Sequence, residues 1–210
     1  MTADGVTTES LTADSVSADP TRTLRADAQT NRDRVLDAAA RLFQLEGADT
    51  SLKAIAKEAG VGIGTLYRRF PTRERLIEQT YRSESARLAA AASTLLDAMP
   101  AAEALRTWMD LFIDYMATKH GMADALRAVL TTDGDLRMQT RDLMAEAVAT
   151  LMRAGIDDGT FRDDLDPDDV LLAMGGVSMI AGDADQREQA ARMLDLLLDG
   201  IMLRPTSSPS

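Results

Sequence analysis

The stretch AGVGIGTLYRRFPTRERL, Ala59–Leu76, sets three glycines ahead of a tyrosine, two adjacent arginines and a Pro-Thr-Arg. Two chemistries use such a run. Glycines can open a backbone cradle for phosphate, or they can tighten a turn that presents a short helix to a larger surface. The cradle fails in detail: no Gly-Lys-Ser/Thr follows and no strand pattern precedes, which removes a dinucleotide fingerprint as well. The second reading turns Thr65, Tyr67, Arg68, Arg69 and Arg73 into donors on a helix surface. Guanidinium pairs two-pronged with guanine O6 and N7, and hydroxyls donate to phosphate or base. A competing chemistry sits in DDGTFRDDLDPDD, Asp157–Asp169, whose carboxylates imitate a metal site. It has no histidine partner, and no Ser/His/Asp set accompanies it, so it reads as a solvated, capped loop. His120 is the sole histidine and adjoins Gly121, where a helix cap is expected. Cysteine is absent, so disulfides and thiolate metal sites are excluded. No catalytic residue, metal or cofactor is expected.

A donor surface needs helices to position it. In TNRDRVLDAAARLFQLEG, Val35, Ala39, Leu42 and Phe43 recur at helical spacing, giving one buried stripe with a cap near Thr30 and a stop at Gly47. Leu52, Ile55, Ala56 and Ala59 repeat the spacing on a shorter helix, with Ser51 as N-cap and Gly60 as stop. Between Gly60 and IGTLYRRF only a tight turn fits, and Pro71 ends that last helix. Two short helices across a glycine turn, braced by a longer first helix, are the helix-turn-helix pattern, whose second helix enters a DNA major groove. Leu66 and Phe70, four apart, face inward; Gly64, Thr65, Tyr67 and Arg68 lie opposite. Ile63 reads as core by its spacing to Leu66 and Phe70.

Charge is distributed accordingly. The 210 residues carry a net charge of −11, which alone argues against nucleic acid. Residues 1–31 are net −3, residues 32–82 net +3 and residues 83–210 net −11, so the motif lies in the one net-positive block. An acidic remainder favours docking through that block. Hydrophobic residues make up 45% and charged residues 27%, as in ordinary globular proteins. No apolar run is long enough for a membrane span, and the first residues lack the basic and apolar regions of a signal peptide. A soluble, cytoplasmic, all-α protein without membrane attachment is expected.

TSLKAIAKEAGVGIGTLYRRFPTRERLI resembles the DNA-binding domain of the TetR family of bacterial transcriptional regulators, closely over about residues 30–80. Two departures stand out: Gly62 replaces a frequent small hydroxyl cap, and Arg69 a frequent histidine. Arg73 replaces a frequent lysine and preserves the charge. The resemblance implies a homodimer that binds a palindromic double-stranded operator and is released by a small-molecule effector. It assigns DNA contact to Ser51, Lys53, Gly64, Thr65, Tyr67, Arg68, Arg69 and Arg73, and it implies a place near the groove for Ile63. Arg68 is the expected base reader; Arg69 and Arg73 are the expected phosphate clamps. Arg22 and Arg25 read either as a minor-groove arm or as solvated tail charges.

The expected layout is a disordered tail over 1–27, a three-helix DNA-binding domain over 28–72, a helical effector and dimerisation domain over 73–204, and a second tail over 205–210. TRERLIEQTYRSESARLAAAASTLLDAMP reads as a long lever helix ending before Pro100. On the next helix Trp108, Phe112, Tyr115 and Met116 form one face, read either as core or as the wall of a cavity for an apolar or aromatic effector. The last two helices, with Asp166 and Pro167 starting the first of them, are apolar enough for a four-helix dimer interface. Met174, Gly175, Ser178, Leu194, Leu197, Leu198 and Ile201 are its expected residues. A regulator whose C-terminal domain only dimerises, or answers to a protein, is the alternative.

Overall fold

The computed structural model describes residues 20–47, 49–181 and 184–203, with side chains described from Ala28 onward except at positions 184 and 185. Most of the expected N-terminal tail, the side chains of Arg22 and Arg25, and the C-terminal tail lie outside the described residues. The described residues form nine helices and no strand, apart from one bridge between Phe161 and Met202.

Helix α1 runs Pro20–Glu46, so it starts well before the cap expected near Thr30. Its first turns carry no apolar stripe to announce them; Pro at the first position and a run of Leu, Arg, Ala and Gln suffice for helix. Helix α2 is Leu52–Glu58, and Ser51 Oγ caps it by accepting from the Ala54 N–H at 3.1 Å. Gly60 follows at φ +64°, a left-handed conformation that L side chains rarely adopt, and the Val61 N–H closes the turn on the Ala56 carbonyl at 3.0 Å. Helix α3 is Ile63–Arg69, entered from Gly62 without a side-chain cap. Val35, Leu36, Phe43, Ile55, Leu66 and Phe70 are all buried where these three helices meet. Each such side chain contributes roughly 1.5–3 kcal/mol of transfer free energy.

Helix α4, Arg73–Ala98, is capped by Thr72 and leaves the small domain as one rod packed against α1, α5 (Ala101–Gly121) and α7 (Gly134–Asp157). Short α6, Ala123–Thr132, links α5 to α7. Helices α8 (Pro167–Ser178) and α9 (Ala184–Ile201) close the bundle against α5. Asp166 accepts from the Asp168 N–H and Pro167 takes the first position of α8, as its sequence predicts. The acidic run around it is engaged in caps and pairs: Asp158 accepts from the Thr160 N–H, Asp164 pairs with Arg162, and Asp168 with Arg141.

The end of α5 meets the end of α1 without side chains between them. A Cβ at Gly121 would overlap the Phe43 carbonyl oxygen. This contact, the Arg87–Asp37 ion pair at 3.2 Å, the Arg32–Gln79 hydrogen bond at 2.8 Å and the shared α4 rod join the small domain to the large one.

Candidate functional site

Helix α3 buries Leu66 and Phe70 and turns its other face outward. Gly64, Tyr67, Arg68 and Arg69 are exposed, Thr65 is half-buried, and Ile63 is 41% exposed, which settles its double reading in favour of the surface. Ile63 and Tyr67, one turn apart, put apolar surface beside the charged groups. Gly64 has open space where a Cβ would stand, so nothing shields the backbone there. Arg68 leans only on Thr65 Oγ, at 3.5 Å, and is otherwise free to reach a base edge. Arg69 donates to the Ala28 carbonyl at 2.8 Å, tying α3 to the outer half of α1. Lys53 is exposed on α2, and no described residue pairs with it. Ser51 keeps its hydroxyl proton available while the oxygen caps α2. A cleft of about 420 Å³ separates α3 from α1, and Asn31 and Arg32 line it beside Thr65 and Arg68. Nothing in the spacing around Asn31 marks it, because its partner surface comes from α3.

Arg73 departs from the expected phosphate clamp. Its guanidinium turns inward, where Nη1 donates to the Thr50 carbonyl at 2.7 Å and the carbon lies 5.9 Å from the Phe43 ring centroid. Its Nη2 is buried with no partner. Thr50 in turn donates to Glu46 at 3.0 Å. Arg73 thus fastens the first turn of α4 to the end of α1 and to the loop before α2.

In the large domain, Phe112, Tyr115 and Met116 line an open cleft of about 670 Å³ between α4, α5, α7 and α8, together with Tyr81, Met138 and Met144. Trp108 is a correction: it is fully buried, donates from Nε1 to the Leu88 carbonyl at 2.8 Å, and stacks on Phe112 at 5.8 Å behind the wall. It supports the cleft and does not face it. Tyr115 shares a hydrogen bond with Ser85 at 3.2 Å, and burial pushes its phenol well above the usual range, so it is a neutral group there. His120 makes no cap through its side chain; it lines a neighbouring cleft of about 720 Å³ beside Lys119 and Arg137. Burial, then Lys119, hold its imidazole below the usual range.

Four of the seven residues expected at a dimer interface turn into the chain's own core. Met174, Ser178, Leu194 and Ile201 are buried within the chain, Leu197 and Leu198 are half-buried against its core, and Gly175 lines the 670 Å³ cleft. Ser178 donates to the Gly175 carbonyl at 2.7 Å. Helix α8 is apolar past its first turn, and α9 crowds leucines into the run Leu196–Leu198, so the apolar residues there do not by themselves single out one face. The outward apolar residues are instead Leu172 (75% exposed), Met179 (79%) and Leu196 (70%), with Met193 and Leu203 beside them. Large apolar side chains left in solvent are candidates for an association face, although Leu172 also borders the 670 Å³ cleft.

A helix-turn-helix with a free recognition face, carried on a helical domain with its own cleft, is the architecture of a one-component transcriptional regulator. The comparisons agree. The model for bacterial regulatory proteins of the tetR family matches residues 35–80, and that for the C-terminal domain of SbtR-like transcriptional regulators matches residues 100–203. A TetR transcriptional regulator from Streptomyces coelicolor superposes with a TM-score of 0.78 at 50% identity, over 84% of this chain and 99% of that one. A TetR transcription regulatory protein from Mycobacterium vanbaalenii does so with a TM-score of 0.69 at 30% identity, over 86% and 99%. An HTH-type transcriptional regulator of Staphylococcus aureus is 50% identical over 48 residues, which are 22% of this chain and 26% of that protein. The curated relatives are thus matched over about a quarter of their length. The chain belongs to the TetR family of bacterial transcriptional regulators, and it is a DNA-binding regulator with the family's all-helical fold. Repression and homodimerisation are typical of that family. Among the described residues, no helix is long and apolar enough to cross a membrane.

Proposed function

We propose that the protein is a cytoplasmic repressor that binds a palindromic operator as a homodimer and leaves it when a small molecule enters the cleft between α5, α7 and α8. The observation that carries this reading is the pairing of an unobstructed α3 face with an open cleft whose wall includes Tyr81 of α4. The same rod begins at Arg73, against the DNA-binding domain. A ligand that displaces Tyr81 therefore acts on a helix whose first turn is braced against the DNA-binding domain. The cleft favours a small molecule over a protein partner, which would be expected to find this core filled. The α8–α9 surface around Leu172, Met179 and Leu196 supplies the dimer face.

Protection mapping of the DNA upstream of the protein's own gene tests the repressor reading, since regulators of this kind often control their neighbours. With the operator in hand, Arg68→Ala should cost about 1–3 kcal/mol per half-site on it and far less on scrambled duplex. Equal losses on both duplexes would make Arg68 a phosphate contact. An effector should weaken operator binding, and the operator should weaken effector binding by the same factor, typically about 1–3 kcal/mol.

A further inference from the structure

The charges around the cleft restrict what it takes. Residues 83–210 carry eleven Lys/Arg and twenty-two Asp/Glu. Seven of those arginines each meet a carboxylate. Arg204 lies outside the described residues, and of the described cations within residues 83–203 only Lys119, Arg137 and Arg153 meet no carboxylate. In a region with twice as many acids as bases, two of these three stand on one rim. Lys119 and Arg137 line both the 670 Å³ cleft and its 720 Å³ neighbour. Asp135 lines the neighbouring cleft but pairs with neither cation, and two cations on one rim without an ion-paired carboxylate favour an anion there.

The rest of the lining fits an amphiphile. The Lys119 ammonium lies 6.0 Å from the Tyr81 ring centroid, which keeps it over the cleft floor. Phe112, Met116 and Met144 continue that floor, and Met138, 64% exposed, leaves a long apolar side chain at the mouth with nothing over it. The α8 side has the opposite sign: Asp168 is held by Arg141 at 2.9 Å, while Asp169 has no basic partner among the described residues. The cleft is therefore polarised, with its free positive charge where α5 ends and α7 begins.

We propose that this cleft binds an amphipathic organic anion, its head group between Lys119 and Arg137 and its apolar body on Phe112, Met116, Met138 and Met144. The proposal rests on the effector reading above and names the chemical class of that effector. Asp169 repels an anion from the α8 side and so fixes which way round the molecule lies.

Three probes with one tail and three heads test it: decanoate, decanol and decylammonium, each below its micellar concentration, titrated calorimetrically into the full-length protein. Decanoate should bind about tenfold more tightly than decanol, the worth of one charge-assisted hydrogen bond in a half-open site, and decylammonium most weakly. The double variant Lys119→Met, Arg137→Met should erase the difference between decanoate and decanol, and a thermal melt checks that it is folded, since Lys119 is half-buried over the Tyr81 ring. Equal binding of decanoate and decanol, a preference for the ammonium, a preference that survives the double variant, or no binding by any probe overturns the proposal. Operator release, read separately by fluorescence anisotropy of a labelled duplex, distinguishes the two readings. Head-group preference without release upholds the anion site and removes its regulatory role. Release by decanol or decylammonium but not by decanoate upholds the role and overturns the anion.

Discussion

Replacing Arg73 by Ala separates two accounts of the same residue. Its place in the sequence pattern makes it a phosphate clamp, whereas the structure makes it a brace. The brace loses a hydrogen bond from a cation to the Thr50 carbonyl, formed at 2.7 Å, worth about 1.5–3 kcal/mol. It also loses the guanidinium over the Phe43 ring, at 5.9 Å, worth about 0.5–2 kcal/mol. Against these stands the unpartnered Nη2, whose burial costs about 1–3 kcal/mol and disappears with the side chain. The midpoints leave a loss of about 1.5 kcal/mol, and for a chain of this size about 2–4 °C of melting temperature per kcal/mol. Thermal unfolding without DNA should therefore drop by roughly 5 °C. Operator affinity measured across salt concentrations should keep its slope, because no phosphate contact is removed. A clamp behaves in the opposite way: the slope of log affinity against log salt falls by about 0.9 per contact, about 1.8 for a dimer, and melting is unaffected. Arg73→Lys sharpens the contrast, since it preserves charge for a clamp and forfeits the fork that the brace uses. A slope reduced by nearly two with melting unchanged within about 1 °C would refute the brace.

Three further outcomes follow from packing and charge. Gly121→Ala should destabilise the protein by about 1–3 kcal/mol, since the obstacle is backbone and cannot rotate away; unchanged melting and operator affinity would show that the two helix ends separate freely. Met179→Ser with Leu196→Ser should shift sedimentation equilibrium toward monomer while leaving helicity intact, whereas Leu194→Ala, at a fully buried position, should cost about 2–5 kcal/mol of stability; a double variant that sediments like the parent would remove α8 and α9 from the interface. Burial pushes the Glu84 carboxyl above its ordinary value of 4.5, against the pull of Arg87 and with a smaller push from Asp37. A raised native value makes ionisation costlier folded than unfolded, so its contribution is fully present below 4.5 and lost as pH rises through the native value. Glu84→Gln should flatten that decline in a melting-versus-pH series, and identical profiles would sink the assignment.

What the sequence makes legible is what neighbours decide. Ser51 and Asp166 cap helices through N–H groups two or three residues away, and Pro167 takes the first helical position, so their chemistry is visible locally. Leu66 and Phe70 declare the inner face of α3 by spacing, and Tyr67 and Arg68 its outer face. The direction of Arg73 is not local: it depends on Thr50 and Phe43, which only the folded chain brings to it. Trp108 and Phe112 share a stripe, yet the placement of α7 and α8 decides which of them meets the cleft. On α9 the leucines at 194, 196, 197 and 198 crowd into five positions, so they cannot all share one face, and packing against α5 and α8 decides that Leu194 turns in and Leu196 out. The early start of α1 escaped notice for the opposite reason, because its first turns have no apolar period at all.

The contact between Gly121 and Phe43 also bears on how this chain can change over time. The atom in the way is a main-chain carbonyl, which every amino acid at position 43 supplies alike. No substitution at 43 can therefore compensate for a larger residue at 121. A genetic screen for suppressors of Gly121→Ala should return changes that move a whole helix, in the α1–α2 loop or along α5, and none confined to position 43. The join between the two domains is in this sense closed to piecemeal repair, while the apolar body of the cleft, built of Phe112, Met116, Met138 and Met144, can drift one side chain at a time.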